Sequence, residues 1–135
     1  MPLERLDHYS IRTLKLEETK EFYEALGLHS GDRPPFPFPG YWLYARDVPV
    51  VHLVGLDEKN PEGLYDYLGV KDYEFLDGGG AVDHMAFRAS DPDRLKKVLD
   101  EKDIPYRVRE VPDLGLLQIF AEDPNEITIE INYYD

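Results

Sequence analysis

The stretches LDHYSIR at residues 6–12 and VDHMAFR at residues 82–88 decide the fold, because they are nearly one sequence written twice. They align without a gap at an offset of 76 residues (84 − 8), with Asp, His and Arg identical. A second pair, VHL at 51–53 and IEI at 129–131, repeats at an offset of 78 residues (130 − 52). The chain therefore contains one supersecondary unit twice. Each copy carries two candidate metal ligands, which are His8 and His52, then His84 and Glu130.

The first copy shows strand periodicity followed by helix periodicity. Alternation over residues 5–12 predicts a strand with Leu6, His8, Ser10 and Arg12 on one face. Apolar spacing over 16–26 predicts a helix that stops at Gly27 in a left-handed conformation, and His29 is predicted in a surface loop. Further strands are predicted at 41–45 and 48–54.

The second copy repeats this order. A strand over 82–89 is followed by a helix to about residue 102 with Ser90 as its N-cap, and then by strands at 106–111, 116–121 and 127–133. The predicted fold class is α+β, with two βαβββ modules. The modules are expected at residues 1–57 and 81–135, joined by a connection at 58–80 that includes a short helix near 62–68. Together they are expected to form one structural domain.

Composition narrows the function classes. With 135 residues and 42% hydrophobic content the chain can bury one ordinary core. Its net charge of −13 argues against binding nucleic acid or an anionic membrane, which requires clustered Lys and Arg. The absence of cysteine means that any metal is held by nitrogen and oxygen. The N-terminus lacks an apolar signal segment and no run is long enough to span a membrane, so a soluble, cytoplasmic protein is expected.

An aromatic, proline-rich segment follows the first helix. The four prolines within 33–44 exclude a helix there and predict an extended edge leading into a strand. Its aromatic side chains are expected to line a pocket for an apolar or aromatic substrate; the alternative is that proline protects a sheet edge while the aromatics cover core. These side chains include Phe36, Phe38, Trp42 and Tyr44.

Two arginines recur in the repeat as well. Arg12 and Arg88 share a predicted face with His8 and His84, and they could bind a substrate carboxylate. An ion pair with one of the 28 acidic residues is the alternative.

Histidines and a carboxylate on adjacent strands suit a divalent transition ion with open coordination positions. The residue types accommodate Fe, Mn, Co, Ni or Zn and do not choose among them. For each histidine alone, the competing interpretation is a hydrogen-bonded core side chain. The paired placement in two repeats favours a metal site.

Several motifs resemble the vicinal oxygen chelate superfamily. They are DH at 7–8 and 83–84, FYxxLGL at 22–28, and QIFxxDPNxxxxE at 118–130, and the resemblance covers nearly the whole chain. This superfamily includes glyoxalase I, methylmalonyl-CoA epimerase, extradiol dioxygenases, fosfomycin-resistance transferases and metal-free bleomycin-binding proteins. The resemblance implies two βαβββ modules whose sheets curl around a metal site, commonly in a homodimer.

By the same resemblance, His8, His84 and Glu130 correspond to the ligands that most members share. His52 stands where glyoxalase I and the epimerase use Glu or Gln. Glu126 departs from the family by replacing the usual glycine of the closing turn.

The role of His52 separates two reactions. If it binds the ion, two adjacent positions remain for two substrate oxygens, which favours a glyoxalase-like or epimerase-like lyase or isomerase with Glu130 as general base. If His52 stands off the ion, a third position opens and an Fe(II) extradiol dioxygenase becomes the alternative, with His52 in acid–base chemistry. A metal-free protein that binds or sequesters a small molecule is the third hypothesis.

Overall fold

The computed structural model describes residues 4–56, 78–80 and 82–135. The chain divides into two compact units, Met1–Leu76 and Asp77–Asp135. The described residues of each unit form one helix and one four-stranded mixed sheet, so the fold is α+β as the sequence repeat predicts. The helix predicted near 62–68 and nearly all of the predicted connection at 58–80 lie outside the described residues. In the described part of the chain, no helix has the length and apolar character needed to cross a membrane.

The first unit has its sheet in the order β1-β4-β3-β2. The first and last strands of the unit, β1 and β4, pair in parallel, and the other pairs are antiparallel. The elements are β1 (Tyr9–Thr13), α1 (Leu16–Ala25), β2 (His29–Gly31), β3 (Gly40–Ala45) and β4 (Val48–Gly55).

One face of this sheet is core and the other carries polar and aromatic groups. Ile11, Leu43 and Val51 are buried, as is Tyr23 of α1. Because side chains alternate along a strand, the intervening residues project from the opposite face. There, the register places Ser10, His52 and Trp42 side by side across β1, β4 and β3.

The second unit repeats this topology, with strand order β5-β8-β7-β6 and β5 parallel to β8. Its core contains Leu99, Ile119 and Ile129, all fully buried. The elements are β5 (Met85–Arg88), α2 (Pro92–Glu101), β6 (Tyr106–Val111), a 3₁₀ turn (Pro112–Leu114), β7 (Leu116–Glu122) and β8 (Thr128–Tyr134).

Three local predictions are corrected. His29 is exposed as predicted but begins β2, because pairing with β3 makes a strand of a segment without apolar alternation. The N-cap of α2 is Asp91 rather than Ser90, since Asp91 adopts the left-handed conformation and its side chain accepts from the Arg94 N–H. Both repeated strands are shorter than predicted, so His8 and His84 each lie one residue before a strand.

Candidate functional site

The repeated Asp-His sequence forms the same hydrogen bond in both units. His8 Nδ1 lies 2.5 Å from Asp7 Oδ2, and His84 Nδ1 lies 2.8 Å from Asp83 Oδ2. An ionised carboxylate only accepts, so in both pairs Nδ1 carries the hydrogen. The hydrogen bond from His8 lowers the pKa of Asp7. In each imidazole, Nε2 remains as the nitrogen that can bind a ligand.

In the second unit, Nε2 of His84 points at a buried carboxylate. It lies 2.9 Å from Oε2 of Glu130, whose side chain lies in β8 and is almost inaccessible to solvent. The pKa of His84 is raised, first by the hydrogen bond to Asp83 and also by the charge of Glu130, while burial opposes the shift. At this distance a hydrogen on Nε2 would join the imidazole to the carboxylate, since an ionised carboxylate only accepts. A divalent ion could replace that proton.

A buried amide holds the other oxygen of Glu130. Gln118 Nε2 donates to Glu130 Oε1 at 2.7 Å and to Asn132 Oδ1 at 3.0 Å, while Arg109 donates to Gln118 Oε1 at 2.9 Å. The antiparallel register of β7 and β8 pairs Gln118 with Asn132 and sets Glu130 two residues along the same face. The carboxylate is thus fixed from one side by an amide and from the other by an imidazole.

In the first unit, the second histidine takes part in a stack of three rings. The ring of His52 lies 3.7 Å from that of His8, at 12°, and 4.1 Å from that of Trp42, at 13°. His52 Nε2 lies 3.1 Å from the carbonyl oxygen of Pro49. A carbonyl only accepts, so Nε2 carries a hydrogen and Nδ1 keeps the lone pair. Burial, and then the charge of His8, lower the pKa of His52 and favour its neutral form.

The stack constrains how these two imidazoles bind a metal. An imidazole nitrogen donates its lone pair in the plane of its ring, so the lone pairs of two nearly parallel stacked rings lie in separate, nearly parallel planes. Joint coordination of one ion by His8 and His52 would require one ring to turn. In neither unit do the described residues bring together three or more His, Asp or Glu side chains that could hold a metal. The donor chemistry fits a nitrogen-and-oxygen metal site, with one pair of candidate ligands in each unit.

A pocket of about 380 Å³ adjoins the ring stack of the first unit. Its volume lies in the range of roughly 300–1,000 Å³ that is usual for small-molecule sites. The lining combines imidazole, guanidinium and aromatic groups. The lining residues are His8, Ser10, Arg12, Arg33, Phe36, Phe38, Trp42, His52, Leu53 and Val54.

Two of the side chains predicted to bind substrate are not among the residues that line this pocket. Tyr44 donates its hydroxyl to the carbonyl of Asp32 and stacks on His29, toward β2. Arg88, in the second unit, places its guanidinium 4.4 Å from the ring centre of Tyr134. Of the predicted substrate-binding residues, Phe36, Phe38, Trp42 and Arg12 line the pocket.

The sequence patterns predicted no role for Gln118, for Arg33 or for the aspartates beside the histidines. Gln118 could have been noticed because it is a glutamine between apolar neighbours in a predicted strand. The Asp-His hydrogen bonds could have been predicted because the repeat has an aspartate at both positions, Asp7 and Asp83. Arg33 gave no signal beyond its position before the prolines, since its place in the pocket depends on how the 32–39 segment folds back.

Comparison with known proteins establishes the family. Residues 5–131 match the model of the Glyoxalase/Bleomycin resistance protein/Dioxygenase superfamily. Because this match covers nearly the whole chain, the protein belongs to that superfamily, as the sequence motifs indicated. No curated protein matches the sequence significantly.

Solved structures share the fold at low identity. A lactoylglutathione lyase from Agrobacterium tumefaciens is 17% identical with a TM-score of 0.64, covering 98% of this chain and 95% of its own. A fosfomycin resistance protein from Listeria monocytogenes is 12% identical with a TM-score of 0.66, covering 99% and 96%. An antibiotic binding protein from a Streptomyces species is 18% identical with a TM-score of 0.64, covering 100% and 99%. This fold therefore occurs in proteins titled as an enzyme, a resistance protein and a binding protein.

Proposed function

We propose that the protein is a metal-dependent enzyme of the vicinal oxygen chelate type, a glyoxalase-like or epimerase-like lyase or isomerase. Its substrate is a small molecule chelated through two adjacent oxygens. The observation that carries the proposal is the geometry of His84, whose Nδ1 is held by Asp83 and whose Nε2 meets the buried carboxylate of Glu130. The repeat of this Asp-His hydrogen bond at His8 supports a matching ligand from the first unit.

In this proposal the metal ligands are His8 and His84, each through Nε2, and Glu130 through Oε2. His52 is either a fourth ligand or a neighbour of the substrate; the stack on Trp42 and His8 favours the second role. When bound, a divalent transition ion (Fe, Mn, Ni, Co or Zn) supplies Lewis-acid polarisation of the substrate oxygens.

The chain's own groups would then move the proton. Glu130 is the carboxylate that faces Nε2 of His84, and it would accept a proton from a carbon beside the polarised oxygen. Oε2 would have to leave the ion when substrate binds and would then receive the proton, while Gln118 would keep Oε1 in place because its amide remains bonded to that oxygen. Trp42 and Phe38 line the adjoining pocket of the first unit with apolar surface.

The proposal also includes the oligomeric state and the cellular compartment of the protein. We infer a homodimer, in line with what the family resemblance implies, and a cytoplasmic enzyme. With a net charge of −13, its partners are small molecules rather than nucleic acid or membrane.

Metal analysis of untagged protein tests the proposal. We expect one first-row ion per chain after reconstitution. The variant Glu130→Gln, which keeps the shape of the side chain, should lower metal affinity at least about tenfold. His29→Ala is the matched control, because His29 is exposed in β2, and it should change nothing. Stoichiometric iron with catechol-dependent oxygen uptake would replace the lyase with the dioxygenase; a chain that binds no first-row ion would contradict both.

A metal-free binding protein is the second candidate. The stack of His8, His52 and Trp42 favours it, because the outer face of an end ring could stack on an aromatic ligand without needing an ion. Equal ligand affinity in chelator-treated and metal-loaded protein, together with no turnover, is the result that would select it.

A further inference from the structure

The pocket of the first unit contains a guanidinium, that of Arg33, with no carboxylate partner among the described residues. Arg33 lies half-buried, and its Nη2 donates to the carbonyl oxygen of Phe38 at 2.8 Å. Within residues 4–56, 78–80 and 82–135, no carboxylate forms an ion pair with it. In a chain with 28 acidic and 15 basic residues, a pocket arginine that pairs with none of the described carboxylates suggests a role in binding an external anion.

The surrounding structure holds this guanidinium in place. The guanidinium carbon of Arg33 (Cζ) lies 5.2 Å from the ring centre of Phe36 and 5.2 Å from that of Phe38. These two rings stack on each other with their centres 5.3 Å apart. Gly40 leaves the space that the head group occupies, because a Cβ there would approach Arg33 Nη2 to 3.0 Å and the carbonyl oxygen of Leu53 to 2.3 Å. Burial lowers the pKa of Arg33, so the head group has lost part of its hydration. Partial desolvation strengthens its attraction to an anion.

We propose that Arg33 is a specificity-determining residue that binds the carboxylate of an aromatic carboxylic acid, whose ring lies against the aromatic wall of the pocket. The planar guanidinium matches a carboxylate in two parallel hydrogen bonds. The strongly negative chain disfavours a dianion such as a phosphate ester more than a monoanion. This inference rests on the proposed function in taking the pocket beside His8 as the substrate's side of that site.

Tryptophan fluorescence can measure ligand binding in this pocket. Trp42 is the only tryptophan, and it lines the pocket. Its fluorescence, excited at the red edge where the ten tyrosines do not absorb, reports ligands that enter beside it. Benzoate, benzamide and phenyl phosphate are the probes, since they share a ring and differ in the charge of the substituent. Each is titrated into the protein as purified and after chelator treatment, which removes any contribution of a metal to carboxylate binding.

Arg33→Met removes the charge and keeps a stem over the phenylalanine rings, so it separates charge from packing. Wild-type protein should bind benzoate more tightly than benzamide or phenyl phosphate. Arg33→Met should weaken benzoate about tenfold and leave benzamide nearly unchanged, since a hydrogen bond to a charged group is lost. Arg33→Lys should fall between, because it keeps the charge without the planar fork. Arg46→Met, at an exposed turn outside the pocket, is the matched control and should match wild type.

Equal losses of benzoate and benzamide in Arg33→Met would overturn the proposal, as would no wild-type preference for benzoate over benzamide, or tighter binding of phenyl phosphate. The outcome is separable from that of the metal experiment. If the chain holds no metal but binds benzoate through Arg33, the role of Arg33 is supported and the metal-dependent enzyme is contradicted. If the chain binds metal but does not prefer benzoate, the enzyme is supported and the role of Arg33 is contradicted.

Discussion

Hydrogen bonds from neighbouring aspartates determine which nitrogen of His8 and His84 faces a ligand. Asp7 and Asp83 each take the Nδ1 hydrogen, so each ring offers Nε2. At His84 the hydrogen bond to Asp83 also raises the pKa of the imidazole, which strengthens it as a metal ligand. The aspartates therefore act on a ligand through the histidines rather than by touching it.

Asp83→Ala should lower the pKa of His84, because it removes the largest cause of the upward shift, and should weaken metal binding about tenfold. The pKa is measured by NMR titration of the His84 ring in metal-free protein, and the affinity by calorimetry. Asp47→Ala, an exposed aspartate in the β3–β4 turn, is the control. An unchanged His84 pKa in Asp83→Ala would show that the hydrogen bond is not formed in solution.

The raised pKa of His84 also predicts a pH dependence of stability. The folded pKa exceeds the unfolded value of about 6.5, so the contribution of the protonated ring is fully present below that value. It is lost as the pH rises through the folded pKa. Urea unfolding of metal-free wild type and His84→Gln across this window should show their difference shrink as pH rises. A constant difference would contradict the prediction.

Gln118 serves three groups at once, so Gln118→Leu should cost about 1–3 kcal/mol in the free energy of unfolding by leaving buried polar atoms without partners. Adding Glu130→Leu should recover part of this loss, because it removes the carboxylate that was left unsatisfied. Urea denaturation of both variants measures the effect. Additive losses would show that the two side chains do not interact.

The N-terminus of α2 was predicted from the sequence, but its N-cap residue was not. Sequence spacing predicted a helix with proline in its first turn, and this is confirmed. The same spacing predicted Ser90 rather than Asp91 as the N-cap, because residue spacing does not show that Asp91 has a φ of 62°. Asp91→Ala should therefore cost about 1 kcal/mol or more, from the lost cap and the strained backbone, while Ser90→Ala should cost little. Thermal unfolding of the two variants decides between the caps, and equal losses would contradict this assignment.

Elements that repeat in sequence were predictable, and those made by tertiary pairing were not. The order βαβββ followed from the matched stretches at 6–12 and 82–88 and from apolar periodicity. β2 escaped prediction because three residues without alternation become a strand only beside β3. The stacking of His52 on His8 and Trp42 escaped prediction for the same reason, since it depends on the register that aligns β4 with both neighbours.

At the scale of the whole molecule, two units of one topology each supply half of a candidate ligand set. The first brings His8 and His52, and the second brings His84 and Glu130. The repeat explains why equivalent positions in both units carry ligating groups. The same superfamily fold is found in a lyase and in an antibiotic binding protein, so the fold leaves the activity open and the side chains must decide it.

The most direct test of the account is the metal affinity of His8→Ala, His84→Ala and the double variant, measured by calorimetry against His29→Ala. With both histidines as metal ligands, each single variant should lose at least about tenfold in affinity, while the His29→Ala control keeps wild-type affinity. The double variant should lose more affinity than either single variant. Wild-type affinity in either single variant would contradict the claim that both histidines are metal ligands.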